Sequence, residues 1–316
     1  MLKTRVLGNN GPQLTEIGFG AWAIGGPWEY GWGAVDDNKS VKAIHRAFDL
    51  GINWIDTAAV YGLGHSEEVV ARALKGKRNE VFLATKCGMI WDDQRRVRIH
   101  ASPKSIRNEI DASLKRLQTD YIDLYQIHWP DPETPIEDSW ETLVQLKKDG
   151  KVKYIGVCNF DVPLLEKCQT ISAIQSLQPP YSLLRKQIEQ DILPYCLKNN
   201  IGVVAYSPMQ AGLLTGKFDY NKLAEDDWRR KGKYFQEPYL TRALDFIKKL
   251  IPTATKYKKS VGQLAIAWVL NHKAVTSAIV GARTAEQVEE NVGAALFKLS
   301  NEDITTIEEL LEKHFS

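Results

Sequence analysis

The sequence predicts an α/β fold: a (β/α)8 TIM barrel with an N-terminal β-hairpin and a C-terminal helix. Short, β-prone apolar runs alternate with helical patterns eight times along the chain. Gly51, Gly150 and Gly202 fall where helices give way to the next strand. In addition, the apolar runs 52–55, 81–84 and 122–127 end at or just before Asp56, Lys86 and His128, with Tyr61 in the loop after the first. A carboxylate, an amine, an imidazole and a phenol therefore leave three successive strands in one direction, which in a parallel barrel is the face where chemistry happens.

Taken in order, Asn9-Asn10-Gly11-Pro12 reads as the turn of the opening hairpin, because Asn-Gly supplies the positive φ angles that a tight turn needs. Strands are expected near 16–20, 52–56, 81–85, 122–127, 153–158, 173–178, 202–206 and 276–280. Helices are expected near 38–50, 66–75, 103–117, 137–149, 162–169, 187–199, 240–257 and 284–292, with a closing helix over 301–313. Ser102-Pro103 and Thr134-Pro135 are helix-start signals. An open doubly wound sheet shares part of this alternation. The longest irregular segment, 207–239, follows the seventh strand, and loops of that length usually serve function, so it is expected to cover a ligand. Barrels of about 250 residues routinely fold as one unit, so residues 1–316 are read as one domain.

Composition narrows the function. The chain is 44% hydrophobic and 25% charged, which permits a substantial core and excludes a disordered polymer. A net charge of +2 gives no electrostatic footprint for nucleic acid, and no Lys/Arg block alternates with aromatics. Cys87, Cys158, Cys168 and Cys196 form no C-x-x-C pair and no run with His at metal spacing, so no metal is expected and the thiols read as buried and free. The opening residues lack an apolar signal core and no stretch approaches the ~20 apolar residues of a membrane span. The expectation is a cytoplasmic protein with no membrane partner.

Two motifs are decoys. Gly18-Phe19-Gly20-Ala21-Trp22-Ala23 loosely fits the dinucleotide fingerprint, yet Ile24-Gly25-Gly26-Pro27 cannot open the helix that must receive a pyrophosphate. Gly212-Leu213-Leu214-Thr215-Gly216-Lys217 has P-loop character, but its glycine spacing is one residue short and no Ser/Thr follows the lysine. No tyrosine is followed four positions later by lysine, which removes the short-chain dehydrogenase arrangement.

Asp56, Tyr61, Lys86 and His128 are the catalytic candidates. A free phenol has a pKa of about 10, so Tyr61 exchanges protons poorly near neutrality unless a cation favours its phenolate. Lys86 is the candidate cation, and Asp56 the carboxylate that keeps a desolvated ammonium charged. With His128 orienting a carbonyl oxygen, the four make a general acid, a device worth about 10²–10⁴-fold in rate. Singly, Asp56 reads equally well as a turn cap, Lys86 as a surface charge and Tyr61 as a loop aromatic. Four such residues on consecutive strand ends argue for a site.

The segments Asp56-Thr57-Ala58-Ala59-Val60-Tyr61-Gly62, Ala84-Thr85-Lys86 and Asp123-Leu124-Tyr125-Gln126-Ile127-His128 closely resemble the aldo-keto reductase superfamily. Gly156-Val157-Cys158-Asn159-Phe160, Ala205-Tyr206-Ser207-Pro208 and Gly281-Ala282-Arg283-Thr284 extend the resemblance over nearly the whole chain. It is nearest to the bacterial branch with Gly-Ala-Arg after strand eight. The resemblance implies a barrel that binds a nicotinamide cofactor without a Rossmann fold, with Tyr61 as proton donor to a small-molecule carbonyl substrate and His128 polarising it.

It also implies a cofactor path. Trp22, Asp56, Asn159, Gln178 and Tyr206 match the nicotinamide end, with Tyr206 as the stacking aromatic. Ser207, Gly212, Leu213, Thr215 and Lys217 match the pyrophosphate. Gly281, Arg283, Gln287, Glu290 and Asn291 match the adenosine end. Arg283 suits a 2′-phosphate, since arginine forks onto phosphate and a helix N-terminus adds partial positive charge, so the cofactor is read as NADPH (NADP+). Two departures bear on cofactor affinity: Cys158 stands where serine is usual, and Pro179-Pro180 follows Gln178.

Trp28, Trp32, Trp91 and Trp129 are read as the substrate pocket, an apolar funnel suited to aromatic or medium-chain aldehydes and ketones, with Tyr30, Met209 and Tyr234 as further candidates. Two competing readings stand beside the reductase. One is a slow-turnover NADPH sensor of the potassium-channel β-subunit type. The other is a barrel lyase using the Lys86 amine as a Schiff-base nucleophile.

Overall fold

The structure, a computed structural model, describes residues 2–315. Its strands are β1 (Thr4–Val6), β2 (Gln13–Thr15), β3 (Ile17–Gly20), β4 (Trp54–Asp56), β5 (Phe82–Cys87), β6 (Met89–Trp91), β7 (Val97–Ile99), β8 (Ile122–Ile127), β9 (Val152–Cys158), β10 (Ser176–Gln178), β11 (Gly202–Tyr206) and β12 (Val275–Gly281). Its α-helices are α1 (Asp37–Asp49), α2 (His65–Leu74), α3 (Pro103–Leu117), α4 (Ile136–Lys148), α5 (Val162–Ile171), α6 (Ile192–Lys198), α7 (Tyr239–Lys256), α8 (Val261–Asn271), α9 (Ala285–Val292) and α10 (Asn301–Phe315). Strands β3, β4, β5, β8, β9, β10, β11 and β12 close into a parallel barrel in that order. The eight expected barrel strands are these eight.

Local chemistry explains the helix starts. Asp36 caps α1 by accepting from the Asn38 and Lys39 amides, Ser102 caps α3 ahead of Pro103, and Asp161 caps α5. The opening hairpin forms as expected, β1 against β2, but its turn differs in detail. Gly8 and Asn10 hold the positive φ angles, whereas Gly11 is needed for closeness, since a Cβ there would lie 1.9 Å from the Leu7 carbonyl oxygen.

This hairpin plugs the barrel floor. Leu7 and Leu14 pack with the interior residues Trp54, Ala84, Leu124, Val204 and Ile279. The fully buried Trp54 fills the centre, its indole N–H donating to Ser277 Oγ at 3.2 Å and to the Thr15 carbonyl at 3.3 Å. Gly18 leaves it room: a Cβ there would come within 2.1 Å of the ring.

Four features depart from expectation. Helix α8 falls in a stretch read as connection, because nine of its eleven residues are buried and no polar stripe gives it a helical period. The strands β6 and β7 form an unexpected antiparallel hairpin above the barrel, each only three residues long. The expected helix over 187–199 is divided into a 3₁₀ turn at Gln187–Glu189 and α6, with Asp191 capping the latter. The long segment after β11 is not featureless, carrying four 3₁₀ turns from Leu213–Thr215 to Lys233–Phe235.

Truncating the floor plug is expected to be expensive. Trp54→Ala should cost about 3–5 kcal/mol in urea unfolding; a loss below about 1 kcal/mol would show that the hairpin and strand ends collapse into the space.

Candidate active site

The C-terminal strand ends deliver the four catalytic candidates to one point. Asp56 is the last residue of β4, Lys86 lies near the end of β5, His128 follows β8, and Tyr61 sits on the loop between β4 and α2. The Lys86 ammonium, which is fully buried, spends all three of its protons: on Asp56 Oδ2 at 2.7 Å, the Thr57 carbonyl at 2.8 Å and the Tyr61 hydroxyl at 3.3 Å. Asp56 Oδ1 accepts from Gln178 Nε2 at 2.9 Å. The Tyr61 and His128 rings meet edge to face with centroids 5.7 Å apart.

These contacts set the protonation states. Burial pushes the Tyr61 phenol above its ordinary range, and the opposing pull of Lys86 does not cancel it. The expected pull of Lys86 on the phenol is present but outweighed by burial, so Tyr61 is protonated near neutrality. Burial works against the Lys86 ammonium, but Asp56 and then Tyr61 outweigh it and raise its pKa. Burial, helped by the Lys86 charge, holds His128 well below the usual imidazole range, so its ring is neutral and has one N–H to donate.

A cavity of about 1150 Å³ extends from this point. Asp56, Tyr61, His128, Asn159, Gln178 and Tyr206 line its inner end. Ser207, Gly212, Thr215 and Lys217 follow along the loop after β11, and Gly281, Arg283, Gln287, Glu290 and Asn291 form its far end around α9. Trp22, Trp28, Trp32 and Trp129 line the remaining wall. Four expected residues are not in the lining: Lys86, fully buried with its ammonium on Asp56 and Tyr61; Tyr234, which packs edge-on against Tyr239 with ring centroids 5.2 Å apart; Leu213; and Trp91. Leu213 is fully buried, its apolar side chain committed to the core of its 3₁₀ turn. Trp91, on β6, lies instead beside α3, where the Arg116 guanidinium sits 5.9 Å from its ring centre.

Several cavity residues are already tied to the frame. Asn159 holds a positive φ of 63° and bridges the His128 carbonyl, by its Nδ2 at 2.9 Å, and the Tyr206 hydroxyl, by its Oδ1 at 2.9 Å. Pro179 extends the sheet past β10 by accepting from the Tyr206 amide at 3.0 Å, so the paired prolines fix the Tyr206 backbone. Lys217 pairs with Glu290 at 3.2 Å, joining the long loop to α9. The Arg283 guanidinium donates to the Trp32 and Ala34 carbonyls, and Thr284 caps α9.

Trp228 and Arg229 also line the cavity and were not anticipated. The Arg229 guanidinium lies 4.6 Å from the Trp32 ring centre, and Trp228 packs on Trp22 with centroids 5.5 Å apart. Their signal was a tryptophan inside the charged run Glu225-Asp226-Asp227-Trp228-Arg229-Arg230, where solvent alone would not favour one. Among the described residues no group of three His, Cys, Asp or Glu side chains could hold a metal, and no helix is long and apolar enough to cross a membrane.

A closed parallel barrel that gathers a buried phenol, ammonium and imidazole at the C-terminal strand ends, at one end of a long cleft, has the form of a barrel enzyme. The chain belongs to the aldo/keto reductase family, whose family model matches residues 16–312. It is 40% identical over 314 residues to the aldo-keto reductase YhdN of Bacillus subtilis (strain 168), covering 98% of this chain and 94% of that one. It is 36% identical over 328 aligned positions to the NADH-specific methylglyoxal reductase of Escherichia coli (strain K12), covering 98% and 99%. The solved glycerol dehydrogenase AKR11B4 from Gluconobacter oxydans superposes with a TM-score of 0.90 at 40% identity, covering 99% of this chain and 95% of that chain.

Breaking the buried ion pair strands a carboxylate. Lys86→Ala should lower stability by about 3–5 kcal/mol in chemical denaturation, because Asp56 keeps only its Gln178 bond. A nearly unchanged midpoint would mean that the Lys86–Asp56 pair adds nothing net to the fold.

Proposed function

We propose that the protein reduces aldehydes and ketones to alcohols with NADPH, with Tyr61 as the proton donor. The observation that carries this reading is the single continuous cavity that joins Tyr61 and His128 at one end to Arg283 and Asn291 at the other. The donor set fits a dinucleotide: amides at the inner end, hydroxyls and an amine along the middle, a guanidinium beside the α9 N-terminus at the far end. When bound, the reduced nicotinamide supplies a hydride to the substrate carbonyl carbon.

The chain's own residues do the rest. The neutral His128 ring donates a hydrogen bond to the substrate oxygen and fixes its direction. Tyr61 passes its proton to that oxygen as negative charge develops there, completing the alcohol. The Lys86 ammonium, 3.3 Å from the phenolic oxygen, stabilises the phenolate left behind, and Asp56 keeps that ammonium charged and in place. Asn159 and Gln178 stand where a carboxamide would share their bonds, and Tyr206 offers its ring face. Gly281 and Trp22 border the same path. The aromatic wall of Trp28, Trp32 and Trp129 favours aromatic or medium-chain carbonyl compounds over bare polar sugars.

The choice between cofactors rests on Arg283. The Escherichia coli relative is named NADH-specific, so the family fold does not decide it. Here a guanidinium beside a helix N-terminus supports 2′-phosphate recognition. All four thiols are buried and free, which supports a cytoplasmic enzyme acting as one barrel domain from the floor hairpin to α10.

Tyr61→Phe should lower turnover of an aromatic aldehyde by about 10²–10⁴-fold while NADPH binding, followed by fluorescence titration, stays within about twofold. Lost cofactor binding in that variant would contradict the role of proton donor. Arg283→Ala should raise the KM for NADPH by at least about tenfold and leave that for NADH nearly unchanged. Equal changes for both cofactors would show that the arginine does not read the phosphate.

A further inference from the structure

Behind the catalytic strand lies a carboxylate that the reaction does not use. Glu109, on α3, accepts from the Gly88 amide at 2.9 Å with Oε2 and from Ser105 Oγ at 2.9 Å with Oε1. Gly88, with a φ of 84°, is the hinge between β5, which carries Lys86, and the β6–β7 hairpin. The stem of that hairpin is closed by the His100 amide on the Gly88 carbonyl at 3.0 Å. Its other leg is pinned by Asp131, which accepts from the Ala101 amide at 2.8 Å. Beyond the stem, Met89, Val97 and Ile99 line the substrate side of the cavity near His128 and Trp129.

We propose that Glu109 is a positioning residue for the substrate wall, setting through the Gly88 hinge how firmly the β6–β7 hairpin lies over the catalytic end of the cavity. This rests on the reading of that end as the carbonyl-binding half.

The charges around Glu109 show why it is the adjustable pin. The neighbouring cation, Arg116, is engaged elsewhere, donating to Glu67 Oε2 at 2.6 Å, while Glu67 Oε1 accepts from Thr85 at 2.6 Å. From the other packed elements Glu109 faces the Cys87 thiol on β5 and the Tyr125 phenol on β8, both held neutral by burial. Two carboxylates thus share one guanidinium, and Glu67 has it. Burial pushes the Glu109 pKa up to about 7 from 4.5, against the hydrogen bonds from Ser105 and Gly88 and the more distant Arg116, with Glu67 adding to the rise. By contrast Asp131 lies below the usual carboxylate range, its amide and hydroxyl bonds outweighing burial, and remains a constant pin.

The direction follows from linkage. A carboxyl whose pKa is raised in the closed state favours that state when protonated, so the hold is full below the ordinary glutamate value of 4.5 and is lost as pH rises through about 7. A lifted hairpin that lets water reach Glu109 is favoured by ionisation, with a limit on the order of a hundredfold in the opening equilibrium. Hairpin order, and with it the affinity for a substrate that fills the wall, should fall across this window. The chemical step should not, because neither Tyr61 nor His128 titrates within it.

Amide hydrogen exchange of segment 88–100, corrected for intrinsic rates and referenced to α8, tests the hinge without any turnover. In the wild-type protein protection should drop by about tenfold or more between about pH 5 and about pH 8, and in Glu109→Gln it should stay high throughout. Ser105→Ala, which removes one bond favouring the carboxylate, should move the wild-type transition to higher pH. In parallel, the KM for an aromatic aldehyde should rise several-fold over the same range in wild type, with kcat and the KM for acetaldehyde flat, and the rise should vanish in Glu109→Gln. The same pH course of exchange in both proteins would overturn the proposal, as would a Glu109→Gln variant whose kcat falls equally for both aldehydes. A wild-type protein that reduces neither aldehyde would instead count against the reductase reading, and the exchange data would still decide the hinge.

Discussion

The buried pair between Asp56 and Lys86 is the constraint on which the rest of the site depends. An ammonium with no water around it survives only if each of its protons is met, and here a carboxylate, a backbone carbonyl and a phenol meet them. The consequence runs outward in both directions. Toward the barrel, Gln178 on β10 is drawn to Asp56, linking strands on opposite sides of the closure. Toward the cavity, the phenol is fixed beside that charge and yet stays protonated, because burial outweighs the pull of the ammonium.

Around this point the loops do two kinds of work. Those after β3 and β11 meet across the cleft through Trp22, Trp32, Trp228 and Arg229, while Lys217 and Arg283 tie each side to its neighbour by charge or by carbonyl. The aromatic contacts pack this side of the cleft and the polar ones join its loops to their neighbours. Positive φ angles at Asn159, Ser207 and Ala211 lie on the same rim, where backbone strain is tolerated because the barrel beneath is rigid.

Much of this was legible in the chain. The barrel strands are short apolar runs bounded by glycine and polar residues, so periodicity sufficed to place them, and Asp56, Lys86 and His128 at or just past three strand ends marked the face on which the candidate site lies. Helix α8 escaped because it is apolar all round, although Ser260 and Gln263 form a capping box that announces its start. The β6–β7 hairpin escaped because three-residue strands carry too little alternation to register. Which loop aromatics face the cavity depends on tertiary direction alone: Trp91 and Trp129 look alike in sequence, yet only the second lines the site. Glu109 is the extreme case, a polar position on an amphipathic helix until Gly88 is brought against it.

Burial keeps Tyr61 protonated and His128 neutral across the working range, with Lys86 charged beside them. The most direct measurement is the pH dependence of kcat for carbonyl reduction under saturating substrate and cofactor. The profile should be flat from about pH 6 to about pH 9. An inflection inside that range that disappears in the Tyr61→Phe or His128→Asn protein would contradict it, showing that one of the two groups titrates where the buried network should prevent it.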